Sequence, residues 1–294
     1  MKGRVTLKYA AFLLPLLFIA AASFTQLPGS ETYIGNDTCV TCHEDVAKAY
    51  AETRHGKGTI HVSGDRVLCE SCHGPGKEHA ENEGDKSKII NPKKAEARQA
   101  NDACLSCHSG DAALYWRGTT HESFNLSCTS CHEVHKPWLA DKGLKQQKLN
   151  DLCLSCHTDV RKSLHQRSSH PMKDGQMSCA SCHDPHGSPE EKSIAALSVN
   201  EKCYECHMEK RGPFLWEHMP VRENCMTCHT AHGSNNTKLL STPAPRLCQS
   251  CHLFGHHQTV AGDSGRMWNI NRSCVNCHSQ IHGSNHPSGK VLMR

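Results

Sequence analysis

Cysteine and histidine recur along this chain of 294 residues in one fixed arrangement, Cys-x-x-Cys-His. The chain contains 20 Cys and 24 His, and every Cys belongs to one of ten such motifs. The cysteine pairs are Cys39 and Cys42, Cys69 and Cys72, Cys104 and Cys107, Cys128 and Cys131, Cys153 and Cys156, Cys179 and Cys182, Cys203 and Cys206, Cys225 and Cys228, Cys248 and Cys251, and Cys274 and Cys277. The histidines that close the motifs are His43, His73, His108, His132, His157, His183, His207, His229, His252 and His278.

This spacing is the attachment signature of c-type haem. Cys at i and i+3 and His at i+4 fall on one side of a helical turn, so both thiols can bond the porphyrin vinyl groups while the His reaches the iron. Zinc sites also use Cys-x-x-Cys, but zinc does not require a His directly afterwards. Disulfides are common in exported chains, yet they would not impose this spacing. The sequence therefore predicts ten covalently bound haem c groups, each with a proximal His.

Fourteen histidines lie outside the motifs, which exceeds the ten needed to give every iron a second His ligand. Several of them follow a motif His by three or four residues, too close to reach the opposite face of the same haem, so we expect each to serve a neighbouring haem. The candidate distal ligands are His55, His79, His121, His135, His170, His186, His218, His232, His256, His257, His282 and His286. The other two histidines outside the motifs are His61 and His165.

The motif positions reveal an internal repeat. Odd-numbered motifs begin at residues 39, 104, 153, 203 and 248, and even-numbered motifs begin at residues 69, 128, 179, 225 and 274. The chain can be described as five di-haem units or as two pentahaem halves, residues 23–160 and 161–294. Repeats that contact mainly their neighbours make elongated structures.

The composition excludes an ordinary globular enzyme domain. Hydrophobic residues make up 37% of the chain even with Cys included, and aromatic residues only 5%. Haems must then fill the interior that apolar side chains would normally occupy. We predict a multihaem cytochrome c fold, with short α-helices and irregular loops wrapped around an elongated haem chain and little or no β-structure.

The first 22 residues have the features of a signal peptide. Lys2, Arg4 and Lys8 precede an apolar stretch, and small residues at 20–22 offer a cleavage site. Cleavage would release the protein to the periplasm. Removing the three cations lowers the formal charge of +4 to about +1, which gives no indication of nucleic-acid binding.

The segments between the motifs resemble the MtrA/DmsE family of periplasmic decahaem c-type cytochromes. The resemblance is carried by RSSHPMK (167–173), CHDPHGS (182–188), EKRGPFLWEHMPVRENCMTCHTAHGS (209–234), PAPRLCQSCH (243–252) and RSCVNCHSQIHGSNHPSGK (272–290). It implies a chain of bis-His haems partly enclosed by an outer-membrane β-barrel porin and linking periplasm to cell surface for extracellular electron transfer. It also implies a periplasmic or inner-membrane cytochrome as electron donor, and an extracellular multihaem cytochrome or reductase beyond the barrel. On the resemblance, the distal ligands are the candidates given above, with one taken from His256 and His257 and one from His282 and His286. The family has no counterpart of His61 and His165, which are therefore interpreted as surface residues.

Two alternatives remain open. A soluble periplasmic electron shuttle would carry the same motifs without a barrel partner. A multihaem nitrite or hydroxylamine enzyme would need an iron with an open coordination position, and the sequence offers enough His to close every iron. No Cys-x-x-Cys-Lys motif, typical of such nitrite reductases, occurs in the chain. Electron transfer without catalysis is the predicted function.

Overall fold

The structure, a computed structural model, describes residues 32–58, 68–110, 113–136, 143–253 and 273–293. Across these ranges the chain forms short α-helices separated by turns, with isolated β-bridges but no β-strand. This matches the predicted fold class. The helices are α1 (Gly35–Val40), α2 (Glu44–Ala51), α3 (Arg54–Lys57), α4 (Cys69–His73), α5 (Lys77–Glu81), α6 (Ala97–Leu105), α7 (Thr120–Ser123), α8 (Cys128–Cys131), α9 (Leu149–Leu154), α10 (Thr158–Ser163), α11 (Val199–Tyr204), α12 (Met219–Glu223) and α13 (Ala244–Gln249).

Single turns of 3₁₀-helix complete the regular structure of the described ranges. Three of them coincide with even-numbered motifs and begin at the first Cys of the motif. They span Lys86–Lys88, Cys179–Ser181, Glu191–Ser193, Met208–Lys210, Cys225–Thr227, Thr237–Leu239, Cys274–Asn276 and Gly289–Val291.

Odd and even motifs occupy opposite ends of these helices. In the odd motifs the first Cys lies in the last turn of an α-helix, as Cys104 does in α6 and Cys203 in α11. In the even motifs the first Cys begins the helical turn, as Cys128 does in α8. In each unit the odd motif therefore lies at the C-terminal end of one helix and the even motif at the N-terminal end of another, and these two ends can approach each other.

A recurring loop follows the even motifs. After motif six the chain turns back so that the Asp184 amide donates to the Ser193 carbonyl at 2.8 Å, and after motif eight the Thr230 amide donates to Leu239 at 2.8 Å. The reversal uses left-handed backbone at Lys192 (φ 55°) and Lys238 (φ 57°). The loop therefore brings a backbone carbonyl back to the histidine of its own motif.

Few apolar side chains are buried in the described part of the chain. Those that are buried are Ala97, Ala100, Trp116, Leu164 and Leu292. Such a set is too small to stabilise a chain of this length by hydrophobic burial alone. The fold therefore depends on another buried component, as the composition predicted.

Contacts cross the boundary between the two pentahaem halves expected at residue 160. Asn150 accepts a hydrogen bond from the Cys179 amide at 2.9 Å, and His121 Nδ1 donates to the Pro185 carbonyl at 3.0 Å. These contacts join residues on both sides of the boundary, and the division into halves stays a prediction. The predicted signal peptide, residues 1–22, lies outside the described residues. No helix in the described ranges is long and apolar enough to cross a membrane.

A buried carboxylate fastens the N-terminal segment to motif two. Glu70 is 5% exposed and accepts hydrogen bonds from the amides of Ile34 at 3.1 Å, Gly35 at 2.9 Å and Gly76 at 2.8 Å. A carboxylate that accepts several backbone amides makes strong charge-assisted hydrogen bonds. Glu70 therefore joins α1 to the turn of motif two.

Replacing Glu70 with Ala should loosen this junction, because three amides would lose their acceptor at a cost of about 2–4 kcal/mol. Hydrogen exchange of the holoprotein should show the Ile34 and Gly35 amides exchanging at least tenfold faster, since tenfold corresponds to about 1.4 kcal/mol. Glu78→Ala is the matched control, because Glu78 is exposed and its carboxylate pairs with Lys88 at 3.3 Å on the surface. Unchanged exchange at Ile34 and Gly35 in the Glu70 variant would contradict this role.

Candidate haem-binding sites

Each motif forms one helical turn that places its two thiols and its histidine together. The amide of the motif His donates to the carbonyl of the first Cys, as His108 does to Cys104 at 2.9 Å and His183 to Cys179 at 3.0 Å. This is the i to i+4 geometry expected for haem attachment.

Nine motif histidines face a second histidine from elsewhere in the chain. The ring centroids of each pair are 5.7–6.5 Å apart, and the interplanar angles range from 5° to 85°. The pairs are His43 with His79, His108 with His55, His73 with His135, His157 with His121, His132 with His186, His207 with His170, His183 with His232, His252 with His218, and His229 with His282.

The spacing of these rings fits an iron ion held between them. An imidazole nitrogen binds a metal such as zinc at about 2.0–2.1 Å, and two such bonds plus half the width of each ring come to about 6 Å. Ordinary aromatic pairs also have centroids about 4.5–7 Å apart, so the indication of a shared iron comes from the presence of one motif His in each of the nine pairs. The residues present therefore fit a haem with one His on each face.

The partner of each motif His follows a regular pattern along the chain. A histidine that follows an even motif lies against the motif His two motifs earlier, as His186 lies against His132. A histidine that precedes an even motif lies against the motif His of the next odd motif, as His170 lies against His207. None of the described pairs joins a motif His to the histidine that follows it three or four residues later in the sequence. The ring pairs thus connect consecutive units.

The two ends of the chain depart from this pattern. His79, which follows motif two, lies against His43 of motif one. At the other end, His256, His257 and the surface candidate His61 lie outside the described residues. His282 faces a motif His. His286 takes part in none of the nine ring pairs, and its Nδ1 accepts a hydrogen bond from the Ser288 amide at 3.1 Å. His165 is exposed and takes part in none of the nine ring pairs.

Backbone carbonyls orient many of these imidazole rings. Nδ1 of seven histidines lies 2.6–3.0 Å from a carbonyl oxygen, to which it donates: His73 to Ile90, His79 to Asp85, His121 to Pro185, His170 to Ala231, His183 to Lys192, His229 to Lys238 and His278 to Val291. A hydrogen bond from Nδ1 fixes the tautomer and leaves Nε2 free as the metal ligand. The recurring loop after the even motifs supplies several of these carbonyls.

Burial favours the uncharged form of five candidate distal imidazoles. It lowers the pKa of His55, His135, His218, His232 and His282, and the motif His of each pair lowers the pKa further. The pKa of His282 falls to about 4, with nearby Lys210 adding to the effect of burial. A neutral imidazole is the form that binds a metal.

The thiols of consecutive motifs approach one another. Within a unit, the first Cys thiols of the odd and the even motif lie close enough to shift each other's pKa, as Cys104 and Cys128 do and as Cys153 and Cys179 do. Between units, the pKa of the Cys72 thiol is raised by burial and then by the Cys104 and Cys107 thiolates. Similar electrostatic contacts link Cys131 with Cys156, Cys182 with Cys203 and Cys206, and Cys228 with Cys251. The attachment sites therefore succeed one another in chain order.

Four asparagines that the sequence analysis did not identify also contact the motifs. Asn36, Asn101, Asn150 and Asn200 each accept a hydrogen bond from the amide of the first Cys of an even motif. The signal was present in the sequence, because each lies three residues before the first Cys of an odd motif.

Comparison with protein families identifies cytochrome c sequences in two parts of the chain. A family described as "Doubled CXXCH motif" matches residues 170–212 and 218–254, and one described as "Cytochrome c-type protein NrfB-like" matches residues 69–147. Each match to the first family takes an even motif with the following odd motif, and so crosses the boundary between two of the units defined above.

Among individual proteins, the multiheme cytochrome MtrA of Shewanella baltica is 43% identical over 88% of this chain and 81% of its own length. The C-type polyheme cytochrome OmcB of Geobacter sulfurreducens is 25% identical over 88% of this chain but only 35% of its own length. Among solved structures, an undecaheme cytochrome from the S-layer of Carboxydothermus ferrireducens is 19% identical over 42% of this chain and 32% of its own, with a TM-score of 0.28, too low to argue from.

Replacing His186 with Ala should open the haem of motif four rather than that of its own motif six, because the His186 ring lies against His132. The holoprotein should then show one new high-spin haem that binds cyanide or carbon monoxide. His165→Ala should produce no such signal.

The assignment is tested by removing one attachment site at a time. In the His186→Ala background, Cys128→Ala with Cys131→Ala should abolish the new high-spin signal. Cys179→Ala with Cys182→Ala should leave it in place. The reverse result would assign His186 to motif six and contradict the ring pairing.

Proposed function

Because this chain belongs to the MtrA family of multihaem c-type cytochromes, we propose that it carries electrons between the periplasm and the cell surface as a decahaem cytochrome inside an outer-membrane β-barrel. Its membership establishes an electron-transfer protein, rather than an enzyme, with several covalently bound haem c groups. The count of ten haems, the barrel and the cellular location are the parts that we propose.

The observation that carries the proposal is the unbroken order of the attachment sites. Ten motifs follow one another along the chain, and a thiol of each motif from one to nine lies close enough to a thiol of the next motif to interact with it electrostatically. A bound haem supplies a one-electron couple at its iron. Sites in this order would give electrons one continuous path from the first motif to the tenth.

The side chains of this protein hold that path and close it to other chemistry. The paired thiols of each motif would hold the haem covalently, and the two imidazoles of each ring pair would bind its iron. A closed iron cannot bind nitrite or hydroxylamine, so the ring pairs favour electron transfer over the enzymatic alternative. We assign one of His256 and His257 to motif ten, whose histidine is outside the nine described pairs.

The proposed barrel follows from the physics of the membrane. A chain with many polar loops cannot lie in hydrocarbon, where each unsatisfied backbone group costs several kcal/mol. A conduit across the bilayer therefore needs a closed β-barrel with a polar interior to surround it. We propose a large outer-membrane porin as this partner, a periplasmic or inner-membrane cytochrome as donor, and an extracellular multihaem cytochrome or reductase at the far end. Cleavage after residue 22 would deliver the chain to the periplasm.

As isolated, the holoprotein should contain ten low-spin ferric haems. Each iron would have two imidazole ligands, which produce a low-spin state and leave no position for cyanide. Pyridine haemochrome analysis counts the haems, and electron paramagnetic resonance reports their spin state. A substantial high-spin fraction, or ready binding of nitrite, would contradict the closed path and favour an enzyme.

Liposomes that contain a reducible dye test the conduit. Electrons from an external donor should reach the dye only when both this protein and the barrel are present in the bilayer. Cys153→Ala with Cys156→Ala should interrupt the path at motif five and abolish the flux, while His165→Ala should preserve it. Isolation from native membranes without any barrel, together with no flux across the bilayer, would contradict the conduit and favour the soluble shuttle.

A further inference from the structure

Four asparagines hold the same position relative to the odd motifs. Asn36, Asn101, Asn150 and Asn200 lie three residues before the first Cys of motifs one, three, five and seven. Three residues are about one helical turn, so each amide lies on the same side of its helix as that Cys. In motif nine the corresponding residue is Pro245, whose ring has no amide group.

Each of these side chains reaches across its unit to the next motif. Oδ1 accepts the backbone amide of the first Cys of the even motif: Asn36 from Cys69 at 2.9 Å, Asn101 from Cys128 at 2.8 Å, Asn150 from Cys179 at 2.9 Å and Asn200 from Cys225 at 2.8 Å. The contact thus bridges 25–33 residues of chain and joins the two attachment turns at their first Cys.

In three of the four asparagines, the side-chain NH₂ group also donates to backbone carbonyls of the segment that precedes the even motif. Nδ2 of Asn101 donates to the Leu126 carbonyl at 3.0 Å, and Nδ2 of Asn200 donates to the Val221 and Arg222 carbonyls, each at 3.0 Å. Asn150 does the same with the carbonyls of Met172 and Met177, at 3.2 and 3.1 Å.

Burial makes these contacts costly to lose. Asn101 is 1% exposed and Asn200 is 8% exposed. A buried amide or carbonyl left without a partner costs about 1–3 kcal/mol, so the bridges of Asn101 and Asn200 are held firmly in one geometry.

We propose that these asparagines are positioning residues that set the spacing of the two haems within units one to four. This rests on the haem assignment proposed above, but not on the barrel. The first Cys of each motif would carry one thioether bond, so a shift between the two attachment turns would move one porphyrin relative to the other. Electron transfer weakens steeply with separation, and precise placement of the redox groups is the protein's main contribution to it. The asparagine bridge would therefore control the rate of electron transfer between the haems of the two motifs that it joins.

Asn200→Ala in the purified holoprotein tests this role. Haem content and low-spin spectra should stay at the parent values, because no ligand or thioether is changed. The magnetic interaction between the haems of motifs seven and eight should weaken in the electron paramagnetic resonance spectrum. Conductance through single molecules held between electrodes should fall about tenfold, because the separation between the two haems would no longer be fixed.

Asn82→Ala is the matched control, because the Asn82 side chain donates locally to the Glu78 carbonyl of the preceding helix α5, at 2.7 Å on the exposed surface. Both readouts should match those of the parent protein. If Asn200→Ala lowers the haem content, Asn36→Ala is measured in its place, since Asn36 is only half-buried. Parent-like magnetic interaction and conductance in a fully loaded variant would overturn the positioning role, whereas loss of flux in liposomes alone would bear only on the barrel.

Discussion

The distance between two imidazole rings is the constraint on which this structure depends. A bis-His iron requires two histidines about 6 Å apart on opposite faces of one porphyrin, and nine motif histidines meet that requirement with a second His. Because the second His comes from another unit in most pairs, satisfying the constraint also fixes how the units pack. Coordination geometry therefore takes the place that hydrophobic packing has in an ordinary domain.

The small apolar core follows from the same constraint. Buried apolar side chains are few in the described ranges, and large ones such as Phe124 and Leu215 are exposed at 74% and 76% in the polypeptide alone. Polar bridges contribute where side-chain packing is thin: Glu70 ties the N-terminus to motif two, and the asparagines tie odd motifs to even ones. Short helices suffice, because each one has only to present a single attachment turn in the correct direction.

Local chemistry made much of this protein predictable. Cys-x-x-Cys-His is a one-turn motif whose geometry needs no long-range information, and the low apolar content predicts a fold without a substantial sheet. The sequence also indicates that a His three residues behind a motif serves another haem. It does not indicate which haem, because a ring pair such as His186 with His132 joins residues 54 positions apart and depends on how two units pack.

Sequence by itself determined the haem chemistry, the number and order of the attachment motifs, the family and the class of fold, because each of these is encoded in short stretches whose geometry is local. Tertiary structure decided the pairing of His rings, the choice of His282 rather than His286 against His229, and the asparagine bridges between motifs. The physical reason is that a ring pair joins side chains distant in the chain. Whether two such groups come within 6 Å depends on how the intervening turns pack.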